Sequence, residues 1–181
     1  MSTTNHAERY SRPLVFLHWF TLVLLVAVYG FIELRELFPK GTDARELMKT
    51  IHYMLGLTVL LTVMVRLYFR VSSHTPAIRP APHWLLHRVA QGAHLLLYAL
   101  MIGMPVAGWL MLSAAGKPIP FYGLELPSLL AEDKILADSI KTIHKTVGNV
   151  GYALIALHAL AALYHHHIRR DNTLLRMLPG K

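Results

Sequence analysis

Four long apolar stretches, separated by shorter polar connections, dominate the chain. They cover roughly residues 14–34, 47–69, 88–112 and 140–168. Each reaches or exceeds the ~20 residues that a helix needs to cross the ~30 Å hydrocarbon layer of a bilayer. Because backbone groups cannot stay unpaired in lipid, apolar stretches of this length are expected to be helical. The pattern predicts an all-α integral membrane protein, a bundle of four transmembrane helices in one domain over residues 1–181.

The connections are marked by proline, glycine and polar residues. Residues 75–82 contain three prolines and cannot continue a helix, and a glycine- and proline-containing segment at 116–120 ends the third stretch. The longest connection, residues 113–139, contains Phe121, Tyr122 and the segment 127–130. We expect this part to form a short helix at the membrane interface.

The composition narrows the classes of function. Apolar residues make up 54% of the chain and charged residues only 15%, against about 25% charged in a typical soluble domain. The absence of cysteine excludes disulfides, iron–sulfur clusters, thiolate zinc sites and cysteine nucleophiles. The net charge of +8 does not indicate nucleic-acid binding, because half of the chain lies in lipid-like segments. Twelve histidines, several of them inside the apolar stretches, are the unusual feature.

The distribution of charge predicts the orientation in the membrane. The N-terminal tail, the second connection and the C-terminal tail hold two acids, Glu8 and Asp171, against ten basic residues. These basic residues are Arg9, Arg12, Arg66, Arg70, Arg79, Arg88, Arg169, Arg170, Arg176 and Lys181. The other two connections hold eight basic and eight acidic residues. By the positive-inside rule both termini are cytoplasmic, the N-terminal residues 1–12 being a retained tail. In a bacterium the other face of this inner-membrane protein is periplasmic.

Two histidines on the fourth stretch have a spacing that suits two separate sites. His144 and His158 are fourteen residues apart, which in an α-helix is a rise of about 21 Å and a rotation of about 40°. The two imidazoles therefore face nearly the same direction, one near each membrane surface. Each needs a partner at its own depth on another helix.

Other apolar stretches provide those partners. His52 begins the second stretch on the outer side, at the level of His144, and His18 lies about one turn inside the first, at the level of His158. The depths predict the pairs His52–His144 and His18–His158. His94 lies at about the depth of His18 and is the alternative partner of His158. We predict His18, partly on the family resemblance described below.

Haem is the occupant that two facing histidines fit best. Imidazole is a common axial ligand of haem iron, whereas two histidines cannot complete a tetrahedral zinc site. Gly56 and Gly148 each follow an outer histidine by one helical turn and leave room for a macrocycle. A single intramembrane histidine is more often hydrogen-bonded to a neighbouring helix. Four histidines that match in depth and direction favour haem instead.

Two arginines are candidates for contacts with haem propionates. Arg66 follows His52 by fourteen residues, on the same helix face and at the depth of the cytoplasmic pair. An arginine at that depth is costly unless it is paired, and a propionate is a suitable partner. Arg70, one turn further on, faces the same group.

Several short motifs resemble the bacterial cytochrome b561 family, and the likeness runs nearly from end to end. They are Tyr10-Ser11-Arg12, His18-Trp19, Ile51-His52 with Gly56, Gly92-Ala93-His94, His144 with Gly151-Tyr152, and His158 followed by residues 171–177, Asp-Asn-Thr-Leu-Leu-Arg-Met. The resemblance implies a four-helix inner-membrane protein with two b-type haems, whose axial ligands fall on His18, His52, His144 and His158. It also implies that electrons pass from superoxide at the outer face to ubiquinone.

The cytoplasmic end offers candidates for a quinone site. His165 lies seven residues after His158 and points to the same side of the helix, so it is a candidate hydrogen-bond donor to a quinone carbonyl. The alternative is a solvated helix end that interacts with the helix dipole. His94 is a candidate quinone-site or proton-relay histidine, if it is not a ligand.

Two other functions fit parts of the pattern. One is a cytochrome b subunit that conducts electrons from a dehydrogenase partner, although the sequence identifies no protein partner. The other is a histidine-lined proton or metal transporter, against which the histidines sort into two separate pairs. Lipid is the one partner that the composition itself requires.

Overall fold

The computed structural model describes residues 9–179 and contains four long helices. All four are long and apolar enough to cross a membrane, which confirms the predicted all-α membrane fold. Residues 1–8 of the predicted N-terminal tail, with Glu8, lie outside the described residues, as do Gly180 and Lys181. The helices are α1 (Arg12–Leu34), α2 (Asp43–Ser72), α3 (Trp84–Ala114) and α4 (Lys134–Tyr164).

Three of the helices begin several residues before the apolar stretch that predicted them. Their first turns are capped by side chains that accept hydrogen bonds from free backbone N–H groups. Thr42 caps α2, His83 caps α3, and the carboxylate of Asp133 accepts from two successive amides at the start of α4. The hydrophobic pattern alone therefore underestimates these helices.

The helices pack mainly as two antiparallel hairpins. The first hairpin is α1 with α2, the second is α3 with α4, and α2 also packs against α3. A buried apolar cluster joins them at mid-depth, formed by Leu24, Val59, Val63, Leu97 and Met101. Along each helix these residues lie between the levels of the two predicted histidine pairs. The core therefore separates the two candidate sites and holds both hairpins together.

The outer α3–α4 connection differs from its prediction. Instead of an interfacial helix it forms a two-stranded antiparallel hairpin, β1 (Ile119–Phe121) and β2 (Leu124–Leu126), and residues 127–130 are irregular. The two turn residues, Tyr122 and Gly123, have φ angles of 47° and 87°, as a tight two-residue hairpin turn requires. The expected helix was wrong because this turn pairs the flanking residues as strands. Ile119 packs on Leu57 and Leu112, which fixes the hairpin over the outer end of the bundle.

The outer α1–α2 connection is held by one buried arginine. The guanidinium of Arg45 donates to the carbonyls of Arg35 and Phe38, each at 2.8 Å, and to the carboxylate of Glu36 at 2.9 Å. These bonds tie together the backbone that follows the end of α1. The connection is thereby fixed at the outer opening of the bundle.

Candidate functional site

The outer pair of predicted histidines is brought together. The ring centroids of His52 on α2 and His144 on α4 lie 6.4 Å apart, and the ring planes are inclined at 75°. The Nδ1–H of His52 donates to the carbonyl of Val28 on α1 at 2.9 Å. This bond fixes the tautomer and leaves Nε2 as the ring nitrogen with a free lone pair.

The second pair, at the end of the bundle predicted to be cytoplasmic, has nearly the same geometry. The ring centroids of His18 on α1 and His158 on α4 lie 6.2 Å apart, with planes inclined at 70°. His94 on α3 also lies beside His158, but the separation of its ring centroid is only 5.4 Å. Its Nδ1–H donates to the carbonyl of Ala90 on its own helix at 2.7 Å. His18 and His94 therefore both lie beside His158, at centroid separations of 6.2 Å and 5.4 Å.

The separations can be compared with the space that a shared iron needs. Metal–imidazole bonds are about 2.0 Å long, and a ring nitrogen lies about 1.1 Å from the ring centre, so two rings ligating one iron have centroids ~6.3 Å apart. The 6.4 Å and 6.2 Å pairs match this value, whereas 5.4 Å is too short. Both matching pairs also join one helical hairpin to the other, while His94 and His158 belong to the same hairpin.

Unpaired nitrogen atoms also indicate an occupant. The Nδ1 atoms of His18 and His144 are buried and have no hydrogen-bond partner among residues 9–179. Buried polar atoms are nearly always paired, so these rings are arranged for a group that the polypeptide does not supply. Within the described part of the chain, no cluster of three or more histidine, aspartate or glutamate side chains could bind a metal ion.

A cavity of about 1020 Å³ opens between the helices at the outer pair. Ligand cavities are typically about 300–1,000 Å³, so this one is large enough for a macrocycle. His52, His144, Gly56 and Gly148 all line it. A Cβ added at Gly56 would meet no atom within 4 Å, and one added at Gly148 would meet only Met104. The two predicted glycines therefore do leave space beside the histidines.

The outer opening of this cavity is strongly basic. Its lining includes three carboxylates, Glu33, Glu36 and Asp138, against eight cationic side chains. The cationic residues are Arg35, Lys40, Arg45, Lys49, Lys117, Lys134, Lys141 and Lys145. Although acids and bases balance over the outer connections as a whole, the excess of positive charge is concentrated at this opening.

The two arginines predicted to contact propionates lie at the end of the bundle predicted to be cytoplasmic. The guanidinium carbon of Arg66 lies 5.7 Å from the ring centroid of Tyr98, and that of Arg70 lies 5.6 Å from the ring centroid of Tyr10. Arg70 also donates to Thr75. Among residues 9–179 neither arginine forms a salt bridge with a carboxylate. Their role toward propionates stays a prediction.

His165 lies where α4 ends, and its partner is Asp171. A π-helical turn, His165–Arg169, extends α4, and Arg170 then adopts a left-handed conformation with φ of 55°. This reversal brings the Asp171 Oδ2 to 2.5 Å from the His165 Nδ1, and the Asp171 amide donates to the His165 carbonyl. The carboxylate is buried, with 4% of the residue exposed. Residues 171–178 then fold back against the N-terminal part of α1, where the Met177 carbonyl accepts from the indole of Trp19.

Some residues around the outer pair were not anticipated from the sequence. Gly108 on α3 faces the His144 ring, since a Cβ there would lie 3.5 Å from its Cε1. Tyr29 on α1 donates to the Gly148 carbonyl, and Tyr152 on α4 donates to Glu33, each at 2.9 Å. These positions lie within or beside apolar stretches, where the hydrophobic pattern carries no signal of hydrogen bonds between helices.

Four membrane-spanning helices that bring histidine pairs to the separation of a shared iron define the class of membrane-bound b-type cytochromes. The chain belongs to the prokaryotic cytochrome b561 family, whose sequence model matches residues 9–180. Such a multi-pass protein is consistent with the bacterial inner membrane. Cytochromes of this family bind b-type haem and act in electron transfer.

The chain is similar along nearly its whole length to proteins of known family. It is 37% identical to cytochrome b561 homolog 1 of Escherichia coli over 96% of this chain and 99% of that protein. It is 36% identical to the probable superoxide oxidase CybB of Yersinia pestis, over 96% and 98%. Cytochrome b561 homolog 2 of Escherichia coli is 30% identical over 98% and 95%.

Proposed function

We propose that the chain is a di-haem superoxide:ubiquinone oxidoreductase. One haem is held between His52 and His144 and the other between His18 and His158. The observation that carries this proposal is the pair of centroid separations, 6.4 Å and 6.2 Å, that fit a shared iron at two levels of the bundle. When bound, the haems would supply one-electron transfer.

The choice of His18 over His94 follows from distance and connectivity. The ring of His94 is too close to that of His158 for an iron between them. In addition, His94 is exposed, while His18 is partly buried. A haem between His18 and His158 joins the two helical hairpins, whereas a haem between His94 and His158 would join neighbours that already pack. Arg66 and Arg70 neutralise the propionates at this cytoplasmic end.

The basic opening supports superoxide as the electron donor. Superoxide is a small anion, and a cavity lined by one sign of charge concentrates such an ion and raises its rate of capture. Lys141 and Lys145 lie within one turn of His144, so the positive charge leads toward the outer pair. The name of the similar Yersinia pestis protein, probable superoxide oxidase, agrees with this donor.

The cytoplasmic end carries the groups that quinone reduction needs. Reduction of ubiquinone to ubiquinol takes two electrons and two protons, and His165 can donate a proton to a quinone oxygen. Asp171 accepts a hydrogen bond from Nδ1–H of His165 and fixes the orientation of the imidazole, which leaves Nε2 as the ring nitrogen that bonds the quinone oxygen. His94, not needed as a ligand, faces the same level and is a second proton donor.

The proposal includes the orientation of the chain. Both termini lie in the cytoplasm. The basic cavity then opens to the periplasm, and His165 and Asp171 lie at the cytoplasmic surface. Superoxide is then oxidised outside without a proton donor, since its oxidation to oxygen releases only an electron. The protons for ubiquinol come from the cytoplasmic side.

The test mixes purified haem-loaded protein with an enzymatic source of superoxide and a short-chain ubiquinone. The proposal predicts rapid haem reduction and ubiquinol formation without any partner protein, both abolished by superoxide dismutase. If the haems stay oxidised under superoxide and become reduced only when a dehydrogenase is added, the chain is instead an electron-conducting subunit. Protein without haem absorbance would favour the transporter.

A further inference from the structure

Helix α1 provides no ligand to the outer pair, yet it contacts both helices that do. Its Val28 carbonyl accepts from the Nδ1–H of His52 on α2. The next residue, Tyr29, donates through its hydroxyl to the Gly148 carbonyl on α4, one turn after His144, at 2.9 Å. Consecutive residues of one helix are therefore bonded to the two helices whose histidines face each other.

The α4 surface is shaped to admit the Tyr29 hydroxyl. Gly151 is buried, and a Cβ at that position would collide with the hydroxyl oxygen of Tyr29 and lie 3.2 Å from a methyl group of Leu100. The glycine is needed here for close approach of the phenol, not for backbone conformation, since it lies inside a regular helix. The hydroxyl contact between α1 and α4 therefore requires both Tyr29 on α1 and Gly151 on α4.

A second contact fixes the direction of the Tyr29 ring. Its centroid lies 4.2 Å from that of Tyr152, with the planes inclined at 46°. Tyr152 is in turn anchored to α1 through the bond from its hydroxyl to Glu33 at 2.9 Å. The ring of Tyr29 is thus held between its own helix and α4 within a wall of the cavity that contains His52 and His144.

We propose that Tyr29 is a positioning residue that sets the distance and angle between His52 and His144. Through Val28 and Tyr29, α1 holds α2 and α4 at a fixed spacing, so that the two imidazoles keep a centroid separation of 6.4 Å and a plane angle of 75°. This inference rests on the proposed function, because it assumes that the outer pair binds haem. Among residues 9–179 no tyrosine hydroxyl bonds α1 to α4 at the level of His18 and His158.

The test removes the contact from each side. Tyr29→Phe deletes the hydroxyl, and Gly151→Ala displaces it by filling its space. Tyr68→Phe, at an exposed position on α2, is the matched control for loss of a tyrosine hydroxyl. The readouts are the rate at which haem passes to a haem-scavenging apoprotein and the ferric low-spin resonance of each haem, with His52→Ala used to identify the outer one. Nearly perpendicular axial imidazoles give strongly anisotropic spectra whose largest g value falls as the planes rotate toward parallel.

We expect Tyr29→Phe and Gly151→Ala each to raise the rate of outer-haem loss about threefold to tenfold, the range for one hydrogen bond. Each should also shift the resonance of the outer haem and leave the cytoplasmic one unchanged. The double variant should show no further change, since both substitutions remove the same contact. If either variant leaves the outer haem as in wild type, or changes both haems equally, Tyr29 does not position this pair. Wild-type protein that lacks an outer haem would instead contradict the proposed function.

Discussion

The imidazole of His165 and the carboxylate of Asp171 form a 2.5 Å hydrogen bond where the chain reverses after α4. Burial raises the pKa of Asp171, but hydrogen bonds from His165 and Thr173 outweigh it, and the pKa lies below its ordinary value of 3.8. A carboxylate with a depressed pKa stabilises the folded state above the unfolded pKa, and this stabilisation is lost as the pH falls through the folded value.

This relationship predicts how the C-terminal segment responds to acid. Amide protection of residues 171–178 should stay constant from neutral pH down to about pH 4 and then fall as Asp171 is protonated. Asp171→Asn should lack this acid-dependent step and exchange about ten- to a hundredfold faster at neutral pH, since a hydrogen bond to a charged group contributes roughly 1.5–3 kcal/mol. Hydrogen exchange followed by mass spectrometry measures both. Equal exchange in the two proteins at pH 7 would show that the pair does not hold the segment.

The assignment of the cytoplasmic ligand can be tested by comparing two histidines at one level. His18→Ala should leave one haem per chain, while His94→Ala should keep two, because only the His18–His158 separation of 6.2 Å accommodates an iron. Haem is counted from the pyridine haemochrome spectrum relative to protein. The reverse result would make His94 the ligand and leave His18 as a neighbour of the site.

The spacing of histidines along the sequence predicts only part of the candidate site. The fourteen residues between His144 and His158 fix both rise and direction on a rigid helix, so two sites and their levels could be predicted. Helix ends were predicted less well, because capping turns such as that at Asp133 are polar and fall outside the apolar stretches. The choice between His18 and His94 could not be made from depth, because it depends on less than 1 Å in ring separation.

Other features leave weaker traces in the sequence or none. Tyr122-Gly123 is a usable hairpin signal, but the apolar and aromatic residues around it suggested an interfacial helix. The bond from Tyr29 to Gly148 leaves no trace in hydrophobic periodicity, since it depends on how α1 and α4 approach each other. Gly151 belongs to one of the motifs that resemble the family, but its contact with Tyr29 can be seen only in the three-dimensional structure.

The volume of the cavity beside His52 should limit how much haem the protein binds. Gly56→Leu should fill the space that the outer haem needs and lower the haem content from two per chain toward one. Gly30→Leu is the matched control, because a Cβ there also meets nothing within 4 Å but Gly30 does not line the cavity. Both changes raise helix propensity by about 0.8 kcal/mol, so a general loss of stability is not expected. Full haem content in Gly56→Leu would place the macrocycle elsewhere.

The basic opening makes a prediction about rate. Reversing two charges in Lys141→Glu with Lys145→Glu should lower the second-order rate constant for haem reduction by superoxide, on the order of tenfold at low ionic strength. The difference from wild type should shrink in salt, because the screening length falls to about 10 Å at 0.1 M. Arg88→Glu, an exposed charge at the start of α3, is the control and should have no effect. Pulse radiolysis with absorbance detection measures these rates, and a double variant as fast as wild type would remove the electrostatic support for superoxide.

In the proposed arrangement, two imidazoles from different helical hairpins bind each haem iron. The most direct measurement is the haem content and reduced absorbance spectrum of purified His52→Ala and His144→Ala, compared with wild type. Wild type should contain two b-type haems, and each variant should lose the same one and keep the other with an unchanged spectrum. The remaining haem reports that the bundle is still folded. If the two variants lose different haems, or if both keep two, His52 and His144 do not form one site and the account is contradicted.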